Sequence, residues 1–137
     1  MDACNLISKA DVEKAFGYTV KELKTSTVGV TTCRYENTEF GKGFFEFAIN
    51  PSVADKASWE IYAKTIGFDK GKVVAGLGDS AYSEIQTATK AAIVHVWLSG
   101  KKAGVDFRYA GGADDTITDA NVQKVVDTAK LFVGKAG

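Results

Sequence analysis

Hydrophobic positions along this chain change their spacing several times, and each change marks an element. Near the start, Ser8 reads as a helix N-cap with Asp11 at N3, and Ile7 and Val12 hold the two staple positions. Val12, Ala15 and Phe16 form the apolar side of this short helix, and Gly17 suits a left-handed stop. Three strands are then expected near 18–28, 31–38 and 43–50. In the third, Phe45, Phe47 and Ile49 alternate with Phe44, Glu46 and Ala48, which gives one strongly apolar face. Gly41-Lys42-Gly43 supplies a hairpin turn before it.

Asn50-Pro51-Ser52 closes this sheet segment, and the pattern predicts a second helix from there to about Ile66. Trp59, Tyr62, Ala63 and Ile66 fall at i, i+3, i+4 and i+7 and should share its buried face, with Gly67 as the stop. Strands follow near 72–75, 80–86, 91–98 and 103–109. Val105, Phe107 and Tyr109 oppose Asp106 and Arg108, as in a half-exposed strand. The 91–98 segment is different, because Ile93, His95 and Trp97 oppose an equally apolar Val94, Val96 and Leu98. Such a strand is covered on two sides or lines a pocket. Gly100 with Lys101 and Lys102 turns the chain into the next strand. A last helix opens at Thr118 as N-cap, stapled by Ile117 and Val122, and buries Val122, Val125, Val126 and Ala129 with Phe132 or Val133. The order α-βββ-α-ββββ-α predicts an α+β fold, an antiparallel sheet of six to seven strands packed with three helices.

At 137 residues the chain makes one domain, able to bury about two thirds of its unfolded surface. Seventeen basic and seventeen acidic residues cancel, and no basic cluster interrupts the balance. Nucleic acid and anionic membranes are therefore poor partners. No apolar run reaches the ~20 residues of a membrane span. Fourteen glycines with one proline indicate tight turns between ordered elements.

Cys4 and Cys33 change the picture most. Cys4 precedes the first helix and Cys33 lies in an extended run, so a bridge could pin helix to hairpin. An even count without Cys-x-x-Cys, and a single histidine elsewhere, reads better as a disulfide than as a metal site. The alternative is two buried free thiols acting as small apolar residues. A bridge would contribute about 3.5 kcal/mol of loop entropy and place the domain in an oxidising compartment. Met1-Asp2-Ala3 has no signal-peptide character, which taken literally argues for the cytoplasm, but the cysteine pair favours the alternative that a removed leader preceded this sequence.

Several short motifs together resemble a known group. They are Asp2-x-Cys4-x-Leu6-Ile7-Ser8-x-x-Asp11-Val12, Phe16-Gly17, Thr32-Cys33-x-Tyr35 and Val74-x-Gly76-Leu77-Gly78-Asp79-x-Ala81-Tyr82. They look like the small bacterial cell-envelope domains, many of them lipoproteins of uncharacterised function, that include the DUF3558-like group. The resemblance implies a Cys4–Cys33 bridge and a periplasmic, secreted or lipid-anchored location. It implies no activity.

Candidate chemistry is sparse. His95 could act as a general base beside an acidic partner such as Asp79 or Glu84, but no motif supplies a nucleophile. Gly76-Leu77-Gly78-Asp79-Ser80 lacks the lysine and following helix of a phosphate loop, and reads as a turn in which Asp79 caps nearby amides. Asp114, Asp115 and Asp119 have no calcium-loop spacing and suit a helix N-terminus instead. No catalytic set, metal site or cofactor is therefore expected. The aromatic residues offer more. Trp59 and Tyr62 on one helix, with Phe44, Phe45, Phe47 and Trp97 in strands and His95 beside them, could wall a cleft between helix and sheet, although an ordinary core is the default reading of the same residues. Phe44 should point away from Phe45 and Phe47, toward a second layer, a partner or solvent. The expected function is a non-enzymatic envelope domain that binds a small apolar ligand or an envelope protein. The alternatives are a homodimer formed through an exposed sheet face and an enzyme built on His95.

Overall fold

The computed structural model describes residues 3–27, 30–51, 53 and 55–136. Asp2 of the N-terminal motif, Val28 at the end of the first expected strand and Ser52 before the second helix lie outside the described residues. Helix α1 covers Lys9–Phe16, and strands β1 (Val20–Thr27), β2 (Val30–Asn37) and β3 (Gly43–Asn50) follow as consecutive hairpins. Helix α2 (Lys56–Ile66) then carries the chain to the far end of the sheet. From there β4 (Lys72–Val73), β5 (Ser80–Gln86), β6 (Ala91–Leu98) and β7 (Ala103–Gly111) return hairpin by hairpin until β7 docks on β3. Helix α3 (Asp119–Ala136) ends the chain. The result is the α+β fold the pattern predicts: a seven-stranded antiparallel sheet in the order β1-β2-β3-β7-β6-β5-β4, with three helices.

Local signals start and stop the helices. The Ser8 side chain accepts from the Asp11 amide while the Asp11 carboxylate accepts from the Ser8 amide, each at 3.0 Å, a complete capping box. Gly17 and Gly67 close α1 and α2 in the left-handed conformation that their lack of a side chain permits. Helix α2 begins later than the pattern predicts. Its N-cap is Asp55, which accepts from the Ser58 amide at 2.7 Å, and Val53 is buried before the helix begins. Thr118 holds the predicted N-cap position ahead of Asp119, its carbonyl accepting from the Val122 amide at 3.3 Å. Its amide and hydroxyl both donate to Asn121 Oδ1, so Asn121 ties the loop to the first turn.

Helices α1 and α3 cover one sheet face. Ile7, Val12 and Phe16 meet Tyr35, Phe45 and Tyr109, while Val125, Ala129 and Phe132 meet the strands nearer the middle. Phe132 stands edge-on to Phe47 and Phe107 at 5.1 and 5.4 Å. Cys4 and Cys33 form a disulfide, Cα atoms 5.6 Å apart, that anchors the N-terminal turn beneath β2. Two residues further along β2, the Tyr35 hydroxyl donates to the Ile7 carbonyl at 2.6 Å. The opposite face carries a smaller core of Val53, Trp59, Ala63, Phe68 and Trp97, with Tyr82 at its border. All eight residues of β6 are buried: Ala92, Val94, Val96 and Leu98 face the core under α1 and α3, while Trp97 joins Trp59 of α2 and His95 lies under Phe68 on the opposite face.

Candidate functional site

Helix α2 uses a narrower buried stripe than its spacing implies. Trp59 and Ala63 are buried, whereas Ile66 is 59% exposed and Tyr62 37%. The reason is Phe68, which turns back under the helix from the short 3-10 turn Phe68–Lys70 and takes the place Ile66 would fill. Trp59 stacks on Tyr82 at 5.6 Å and packs against Phe68 at the same distance. A side chain at Gly104 would run into the Trp59 indole, so the bare backbone of β7 makes room for it. Trp97 is buried in the same layer. Among the described residues these rings pack against one another between helix and sheet.

His95 belongs to this layer. Its ring lies flat on Phe68, with centroids 3.8 Å apart. Asp106, directly opposite on β7, places Oδ1 2.7 Å from His95 Nδ1. Glu84 on β5 brings Oε2 to 3.5 Å from Nε2, where no hydrogen bond forms. Asp79, the other acidic partner considered from sequence, is elsewhere. Its carboxylate accepts from the Ser99 amide at 2.8 Å and clasps the β4–β5 connection to the β6–β7 turn. The amide it caps is thus distant in sequence, not nearby in its own turn. Ser80 and Tyr82 both donate to the Glu60 carboxylate of α2. That bond to Glu60, with burial second, raises the Tyr82 phenol above its ordinary value. Burial raises Tyr62 likewise, with the Asp106 carboxylate adding to it.

Phe44 stands apart from the other aromatic candidates. It lies on the α2 side of β3, half-buried beneath the Arg34 guanidinium, which sits 4.0 Å above its ring. Arg34 in turn grips Glu46 at 2.8–2.9 Å. Of the predicted site residues, the structure brings together Trp59, Tyr62, His95 and Trp97 and leaves Phe44 on a separate charged stretch of sheet.

An open concavity lies on the other side of the sheet. Strand β4 has two residues beside the seven of β5, so the last part of β5 has no outer neighbour from β4. Helix α3 overhangs this gap. The groove between them has a volume of about 950 Å³. Val74, Ile85, Val122 and Val126 give it an aliphatic lining, and Lys70, Lys72 and Lys130 stand around it with Glu84 and Asp119. Lys72 is 3.8 Å from Asp119, both exposed, an arrangement that water largely screens. Sequence reasoning missed this groove, since it arises from a strand ending early. The one available signal was the short Lys72-Val73-Val74 run pressed between glycines at 71 and 76.

Among the described residues no group of histidine, cysteine, aspartate or glutamate could hold a metal ion, and no helix is long and apolar enough to cross a membrane. Comparison of the chain with family models, with curated proteins and with solved structures finds no match.

Proposed function

We propose that this protein is a non-enzymatic extracytoplasmic binding domain, which holds a small apolar ligand with an acidic end in the groove between α3 and the β4–β5 edge. The groove itself carries the reading. Its volume of about 950 Å³ lies within the usual range of ligand sites, and aliphatic walls with a few charged groups at the rim are their usual lining. Three lysines against two carboxylates favour an acidic group at the mouth. The disulfide supports an oxidising compartment, as does the resemblance of the cysteine and Gly-Leu-Gly-Asp motifs to envelope domains.

His95 supports an enzyme less well. His95 is 7% exposed and covered by Phe68, and the phenol of Tyr82, its partner across β5, donates to Glu60. A fluorescent fatty-acid analogue displaced by dodecanoate tests the binding reading. The expected result is saturable binding that Gln123→Trp, which puts a large ring into the groove from an exposed position of α3, weakens at least about tenfold. Unsaturable binding, or binding that the tryptophan leaves unchanged, would overturn it.

A further inference from the structure

Strand β1 is the outermost strand at the end of the sheet opposite the groove, paired with β2 on one side. Lys21, Glu22, Leu23, Lys24 and Thr25 are all exposed. Thr19 accepts from the Thr38 amide on the β2 side, while the Val20 amide points away from β2 and donates to Glu13 at 2.9 Å. By the alternation of an antiparallel ladder, Glu22 and Lys24 therefore turn their backbone groups outward, as Val20 does.

We propose that β1 pairs antiparallel with β1 of a second copy of this chain, about a two-fold axis at Leu23. This register sets Glu22 opposite Lys24 of the second copy and Lys24 opposite its Glu22. Both are hydrogen-bonded positions, so the two pairs exchange backbone bonds on either side of the axis. Leu23 meets its own counterpart at the central, closer-spaced position, on the opposite face from the charges. Leu23 is 42% exposed in the single chain.

The neighbouring registers are disfavoured by charge. An axis at Glu22 opposes two glutamates, and an axis at Lys24 opposes two lysines, and like charges directly across a ladder repel. An axis between residues would set an outward backbone group against an inward one. The sequence Glu22-Leu23-Lys24 is thus self-complementary in one register, which is what an edge strand needs to form a closed pair and not an open aggregate. Glu13 limits the length of the pairing, because it already occupies the outward amide of Val20. The contact joins two seven-stranded sheets end to end and leaves the groove at each far end open.

Charge reversal tests this with sedimentation equilibrium on the whole, oxidised chain. Wild type should show a monomer–dimer equilibrium that weakens with salt. Glu22→Lys and Lys24→Glu should each weaken the dimer about tenfold, since both symmetry-related pairs change sign. The double variant Glu22→Lys/Lys24→Glu restores unlike pairs and should recover the dimer. Exposed edge positions leave the core intact, and circular dichroism verifies folding. A strict monomer at every concentration, or a dimer indifferent to the reversals, would overturn the proposal.

Discussion

Phe68 lies on His95 with the two rings 13° from parallel, and this contact fastens the exit of α2 to the middle of the sheet. Phe68 also touches Trp59, Tyr62 and Tyr82, so one residue from a three-residue turn supports most of the smaller core. Phe68→Ala should cost about 3–5 kcal/mol of stability in urea unfolding. Asp106→Ala should cost less, about 1–2 kcal/mol, because it removes one hydrogen bond to His95 from a carboxylate whose side chain is 41% exposed. Equal losses would show that the ring stack matters less than the hydrogen bond.

The Cys4–Cys33 bridge closes a loop of 29 residues in sequence separation. Replacing both cysteines by serine should lower the unfolding free energy by about 2–5 kcal/mol. Reductant should lower wild type by a similar amount and leave the double variant unchanged, which guanidinium titrations with and without dithiothreitol would check.

Asp79 gives the acid limb of the stability curve a specific origin. The Ser99 amide bonded to its carboxylate holds it below the ordinary carboxylate value. A depressed folded-state value means stability that is fully present above the unfolded value of about 4 and lost as pH falls through the lower folded one. Asp79→Asn should therefore lower stability at neutral pH and flatten its fall below about pH 4. Thermal melts from neutral to acid pH would show this. Asp11, held down by the Ser8 amide and then by Lys135, retains its own share of the acid dependence in that variant.

Much of the fold was legible because its elements carry local signals. The Ser8 and Asp11 capping box, the left-handed Gly17 and Gly67 and the alternation through Phe45 and Phe47 each depend on neighbours within a few residues. The doubly covered β6 was legible for the same reason, since both its faces are apolar. What escaped depends on distant chain. Trp59, Tyr62, Ala63 and Ile66 share helical spacing, yet Phe68 takes the ground under Ile66. Asp79 reads as a local cap, yet it holds Ser99 across the sheet end. Asp106 reads as an outward strand residue until register places it opposite His95. The groove is the extreme case, because early termination of a strand leaves almost no trace in composition.

The binding reading is tested most directly by where a ligand lands. Amide shifts of the isotope-labelled, oxidised protein would be followed as dodecanoate is added. Shifts should concentrate at Val73, Ile85, Val122, Gln123 and Val126 and spare Phe44 and the β1 edge. An absence of saturable shifts, or shifts centred on Trp59, His95 and Trp97, would contradict the account.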